Sequence, residues 1–184
     1  RIPQIHAAMA NYLDRGLLTP AVKNGFVLCE RTTASGTRLG LVGTVDLEAY
    51  DYRPDADSAI RATERTVVAR IPPRVAIRKD APLELTHVLM LCDDETESLI
   101  ETLTAEKAGL PALYDFDLML GGGNIQGWLV QGDQARAFNT RLASYIKHKS
   151  KELSLVFAVG DGNHSLATAK TIWEAHKSRS EERR

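Results

Sequence analysis

Residues 160–165 read Gly160-Asp161-Gly162-Asn163-His164-Ser165, which sets a carboxylate, an amide, an imidazole and a hydroxyl within one short loop. The apolar run ahead of it, residues 153–159, reads as a buried strand, and residues 166–176 resume helical spacing. A strand that ends in a glycine-flanked loop and turns at once into a helix offers free backbone N–H groups and a positive helix end, which suits an anion such as phosphate. Gly160 and Gly162 let the backbone bend and come close to a ligand. The loop carries no lysine and does not match the G-x-x-x-x-G-K-[ST] phosphate loop. The plainer alternative is that Asn163 or Ser165 caps the helix and His164 is solvated. Four different polar groups against an apolar strand favour a site.

A second stretch combines Glu64 with Arg61, Arg65, Arg70 and Arg74. By spacing alone this is a solvated face with weak ion pairs. Arginines around one acid can also hold phosphates while the acid takes a proton. A third candidate is the turn Gly121-Gly122-Gly123-Asn124 behind Asp115 and Asp117, which reads as a ligand lid or a phosphate-facing nest or, more plainly, as a mobile connector with two surface carboxylates. His6, His148 and His176 fall on helical faces expected to be exposed, and His87 on a strand expected to be buried. None has ligand spacing to a partner, which argues against structural zinc.

These groups need a scaffold. Four-residue apolar steps at Ile5, Met9, Leu13 and Leu17 predict a helix over residues 2–18 that ends near Gly16. Residues 25–33 and 37–47, joined by Ala34-Ser35-Gly36, predict an antiparallel hairpin, with Gly40 and Gly43 marking a bulge or a close backbone approach. Pro72-Pro73 are expected to end any helix and push Ile71 to extended geometry. Residues 85–92 predict a buried central strand, 97–108 a surface helix and 134–149 a helix with Ala135, Phe138, Leu142 and Ile146 on one stripe. Residues 114–120 lead to a short strand at 128–130. The fold class is mixed α/β (α+β): a mixed sheet with an N-terminal helix, an antiparallel hairpin and flanking helices, expected as one domain over residues 1–184.

The 184 residues suit one domain of ordinary size, and 43% apolar residues suffice for a core. With 23 Lys and Arg against 24 Asp and Glu, the net charge of −1 disfavours a general grip on nucleic acid or anionic membrane. No stretch approaches the roughly 18 apolar residues of a membrane helix. Cys29 and Cys92, far apart and inside apolar runs, read as reduced core residues of a cytoplasmic protein. The chain starts at Arg1 and ends in a charged tail, and is read as a fragment without a signal peptide.

Residues 39–52 (LGLVGTVDLEAYDY), Thr63-Glu64-Arg65-Thr66 and residues 158–169 (AVGDGNHSLATA) together resemble the bacterial and archaeal family of domain of unknown function 1015. Its His-Glu-x-Thr and Asp-Gly-His-His-Arg segments correspond here to residues 63–66 and 161–165. That pair of segments is similar in turn to the ParB/sulfiredoxin-like superfamily of free-serine kinases and CTP-hydrolysing proteins. The resemblance implies a nucleotide (ATP, ADP or CTP) with Mg²⁺ and a small hydroxyl substrate such as serine. Glu64 would be the general base, Asp161 would orient substrate or metal, and His164 would contact phosphate. Gly160, Gly162, Asn163, Ser165, Thr66 and Arg74 would line the nucleotide, and Asp117 is a second candidate for Mg²⁺. Thr63 and Asn163 stand where the family has His, and Ser165 where it has Arg, so a guanidinium would have to come from Arg61, Arg70 or Arg74. The alternative the same residues imply is a non-catalytic nucleotide- or metabolite-binding module.

Overall fold

A computed structural model of the chain describes residues 1–85, 88–152 and 154–181. In chain order the elements begin with α1 (Ile2–Asp14), β1 (Phe26–Thr33), β2 (Gly36–Val42), β3 (Tyr50–Asp51), β4 (Ile60–Ala62) and α2 (Ile71–Arg78). They continue with β5 (Leu89–Leu91), α3 (Ile100–Ala105), β6 (Ala112–Asp117), β7 (Asn124–Val130), α4 (Gly132–Glu152), β8 (Phe157–Asp161) and α5 (Asn163–Glu181). The result is an α/β architecture with an N-terminal helix, one antiparallel sheet and one mixed sheet. Contacts group the residues into two compact units: Arg1–Thr19, Val45–Asp93 and the described residues from Lys149 onward; and Pro20–Thr44 with Asp94–His148.

In the first unit the sheet order is β3-β4-β8-β5, parallel from β3 to β8, with β5 antiparallel. Tyr50, Ile60, Ile71, Val159, Leu166 and Ala167 form its buried core, one residue or two from each of several elements. The strand expected at 153–159 is β8, which starts four residues later and runs through Asp161; Leu153 lies outside the described residues. β8 is an inner strand of this sheet, in keeping with its apolar Phe-Ala-Val run.

Two expectations for this unit are corrected. Among the described residues of the stretch 85–92, only Leu89–Leu91 pair, and they do so at the sheet edge rather than its centre; Leu89 and Leu91 are 55% and 52% exposed while Met90 packs on the core. An edge strand buries alternate residues, whereas a run of apolar residues cannot tell edge from centre. Cys92 is accordingly exposed rather than in the core, while Cys29 is half-buried. His87 lies outside the described residues.

The Pro72-Pro73 pair opens a helix instead of ending one. Ile71 has helical φ −75° and ψ −51° and the prolines occupy the first turn of α2. Amides there have no intrahelical acceptor, so a proline loses nothing by lacking one. His6, expected to be exposed, is half-buried and donates its Nε2–H to the Ile77 carbonyl at 2.7 Å, tying α1 to α2.

Glu48 joins α5 to the short turn before β3. It accepts from the Lys177 ammonium and the Trp173 indole N–H, and Lys170, which donates to the Leu47 carbonyl, lies alongside.

In the second unit the sheet is antiparallel throughout, in the order β2-β1-β7-β6. The predicted hairpin is present, with Thr33 opposite Gly36 across a two-residue turn. The ladder passes Gly40 without a bulge, while Gly43 admits the Phe26 ring, since a Cβ there would lie 2.8 Å from Phe26 Cδ1. The stretch 97–108 is not a surface helix: α3 is only Ile100–Ala105, and Leu103 and the preceding Leu99 are buried. The strand foreseen at 128–130 extends back to Asn124 because β6 and β1 pair along its two edges.

Gly127 of β7 pairs with Cys29 on one side and Tyr114 on the other, and the Tyr114 ring lies over it. Burial, followed by the neighbouring Cys29 thiol, pushes the Tyr114 hydroxyl up to about 12. On the opposite face the Lys107 ammonium sits 5.0 Å above the Trp128 ring and 2.6 Å from Glu30. Among the described residues no helix is long and apolar enough to cross a membrane.

Two outcomes are expected. In Gly127→Ala the new Cβ would fall 2.2 Å from Tyr114 Cζ. Overpacking of this kind costs about 1–3 kcal/mol. Urea denaturation should show that loss, and the double variant with Tyr114→Ala should lose less than the sum of the single changes. Hydrogen bonds from Lys177 and then Trp173 hold the Glu48 carboxyl at about 2, down from 4.5. Since the folded value is the lower one, the contact stabilises fully above about pH 4.5 and is lost as pH falls toward 2. Acid titration of stability in Glu48→Gln should converge on the wild-type curve across that window, and salt should shrink the difference because the group is exposed.

Candidate functional site

The turn from β8 into α5 is shaped by Gly162, whose φ of +84° lies in the left-handed region that other residues avoid. Its carbonyl accepts from the Ser165 and Leu166 amides at 2.9 and 3.0 Å. Asp161 Oδ1 accepts from the Gly162 amide and Asn163 Oδ1 from the His164 amide, both at 2.7 Å. The amides foreseen as free phosphate donors are therefore engaged inside the turn, and an anion bound there would have to displace those bonds. Gly160 and Asp161 are exposed, Ser165 is half-buried and Asn163 is buried.

β4 delivers the second stretch. It runs parallel to β8 with Ile60 opposite Phe157, Arg61 opposite Ala158 and Ala62 opposite Val159. Just past its end Thr63 donates through both its amide and its hydroxyl to the Val159 carbonyl, at 3.2 and 2.9 Å. Thr66 and Asn163, 5% and 4% exposed, face each other, with the Asn163 amide group 3.5 Å from the Thr66 hydroxyl. The Val67 amide donates to His164 Nε2 at 3.0 Å. Glu64 lies between these anchors, exposed, with no hydrogen bond or ion pair among the described residues. Parallel pairing thus carries Glu64, Asp161 and His164 to the C-terminal ends of adjacent strands, where open α/β sheets place their ligands.

The Val67 bond also decides the state of the imidazole. An amide N–H can only donate, so Nε2 carries the lone pair and the ring proton is on Nδ1. In this geometry Nδ1–H is the ring's donor toward another partner.

The arginines divide differently from the expectation. Arg61 is committed to the Ala56 carbonyl, the Ser154 hydroxyl and Asp57. Arg70 is exposed, and Arg74 donates back to the Arg70 carbonyl along its own helix. The guanidinium that reaches the loop is Arg78, which donates to the Ser165 carbonyl at 2.7 Å and to its hydroxyl at 3.3 Å. Arg78 follows Arg74 by one helical turn, a signal hidden once the prolines were read as a helix end. Tyr50 is a second residue without a sequence signal. It is buried and turns its hydroxyl to the Asn163 carbonyl at 3.4 Å, and burial raises its pKa.

The remaining candidates have partners of their own. Asp115 and Asp117 belong to the second unit and accept from the Asn124 and Gln126 side-chain amides, which brace the β6–β7 hairpin. Among the described residues no group of three or more His, Cys, Asp or Glu could hold a metal. Asp161 alone offers one carboxylate, enough for Mg²⁺ only when a substrate's phosphates supply further oxygens. Two surface hollows lie elsewhere, one on the exposed face of α4 around Asn139 and Lys147. The other, of about 60 Å³, lies between α2 and α5 beside Val75, Ile172 and His176.

The glycosyltransferase AglD of Haloferax volcanii is 27% identical over 144 residues, covering 76% of this chain. The chain spans only 21% of that protein's length. No solved structure matches the chain. With residues 1–184 matched from end to end, the chain belongs to the family described as protein of unknown function, DUF1015.

Proposed function

We propose that this chain is a nucleotide-dependent phosphotransferase acting on a small hydroxyl compound such as free serine, on a ParB/sulfiredoxin-like core. The observation that carries the reading is the bond from the Val67 amide to His164 Nε2, which joins the Glu64 segment to the 160–166 loop. Phosphoryl transfer asks the protein for position, charge neutralisation and a proton acceptor. The exposed Glu64 takes the proton of the substrate hydroxyl as its oxygen bonds to phosphorus and the bond to the nucleotide's leaving oxygen breaks. His164 donates from Nδ1 to a phosphate oxygen, and Asp161 orients the substrate. Mg²⁺, bound with the nucleotide, supplies charge neutralisation at the phosphates. The setting is cytoplasmic, where Cys29 and Cys92 stay reduced.

One observation favours a second reading, a nucleotide- or metabolite-binding module without turnover. The guanidinium nearest the loop, Arg78, is committed to Glu84 and Ser165 rather than held open for phosphate.

Both readings are tested with ATP, ADP, CTP and GTP in the presence of Mg²⁺. A nucleotide at 100 times its Kd should raise stability by about 2.7 kcal/mol. Phosphoryl transfer to serine should then be seen with wild type and abolished in Glu64→Gln, with nucleotide affinity unchanged. Equal turnover in the variant excludes Glu64 as the base. Stabilisation without turnover in wild type leaves the module, and no response to any nucleotide sinks both.

A further inference from the structure

Residues 66–78 form a strap fastened at both ends to one turn. At the start Thr66 meets Asn163 and the Val67 amide donates to His164. At the end Arg78 donates from Nη1 to the carbonyl and hydroxyl of Ser165. Between the fastenings lie the short turn Val68–Arg70 and α2, whose Ile71 is buried in the core. Three consecutive residues at the start of α5 are therefore gripped by one continuous stretch of chain.

The grip at Ser165 differs from an ordinary surface ion pair. The Arg78 side chain is 14% exposed, and Glu84 holds its Nε and Nη2 at 2.8 and 2.9 Å. That bidentate contact fixes the plane of the guanidinium, so the remaining nitrogen is aimed at Ser165. A lysine has the charge but not the fork and cannot hold both partners in fixed geometry.

We infer that Arg78 is a positioning residue of the candidate site. By holding Ser165 it sets the rotation of the first turn of α5, and with it the His164 ring that receives the Val67 amide. The Val67 end of the segment carrying Glu64 is held through that grip, while its Thr63 end is held separately by the Val159 carbonyl. What is positioned is a phosphotransferase site only on the reading proposed above; the coupling between Arg78 and Val67 belongs to the fold itself.

The test uses the full chain as wild type, Arg78→Lys, Arg78→Met and, as a control at the next position, just past α2, Lys79→Met, whose exposed ammonium meets Asp80 at 3.8 Å. Two readouts report on the coupling: native-state hydrogen exchange at the Val67 amide, and the His164 tautomer from long-range nitrogen–proton correlation. Wild type should show the Nδ1–H tautomer. Both Arg78 variants should speed Val67 exchange by about tenfold or more while the Val159 and Ala167 amides in the core stay within about twofold. They should also populate the other tautomer, and Lys79→Met should change nothing. Unchanged Val67 exchange and tautomer overturn the inference, as does an equal acceleration at every amide, which would mean general loss of stability. If Arg78→Met does not fold, Arg78→Lys decides. Where wild type turns over, Arg78→Lys should lower kcat by about tenfold with KM little changed. Absence of any nucleotide response in wild type removes the proposed function and leaves the exchange experiment to decide this inference alone.

Discussion

The first unit is organised by the parallel contact between β4 and β8. With Ala62 opposite Val159, the chain that leaves β4 must emerge beside the chain that leaves β8. Parallel strands share a direction, so their ends carry two loops to the same edge. Thr63 extends the contact by one residue through its doubled bond to the Val159 carbonyl. A one-residue slip would turn every side chain of β4 to the other face, exposing Ile60. The site and the core therefore depend on the same register.

Beyond that edge, polar bonds replace apolar packing. Asn163 and Thr66 are buried, and leaving either without a partner would cost about 1–3 kcal/mol. Asn163 meets the requirement by accepting from the His164 amide, approaching Thr66 with its amide group and letting its carbonyl take the Tyr50 hydroxyl. Outside that network Glu64 and Asp161 are exposed and His164 is half-buried. On the reading proposed above, these acceptors and the imidazole donor would meet a ligand with one exchangeable proton and one anionic end.

The second unit solves a different problem. Its antiparallel sheet places aromatic rings over small partners, Tyr114 over Gly127 and Phe26 over Gly43, so that large rings lie flat where a Cβ would obstruct them. The carboxylates of Asp115 and Asp117, the latter a candidate for Mg²⁺ at the level of sequence, are occupied with neighbouring amides across the β6–β7 hairpin. Acidic residues in a turn are as readily structural as functional, and only their partners distinguish the two.

The local features were legible in the residues themselves. The hairpin at Ala34-Ser35, the apolar β8 and the glycine-shaped turn after it depend on neighbours a few positions apart, where periodicity and turn chemistry act. Glu64 and His164 were found as motifs. Their convergence was implied only by the family resemblance and not by spacing, because it rests on bonds spanning 97 residues. The same holds for Arg78, whose partner is 87 residues away and whose helix was concealed by prolines that interrupt a helix interior yet fit its first turn. The edge position of β5, the exposure of Cys92 and the tautomer of His164 were likewise decided by tertiary structure. Composition and spacing determine what a segment can become, whereas solvent access and hydrogen-bond partners are fixed only when distant strands take their places beside it.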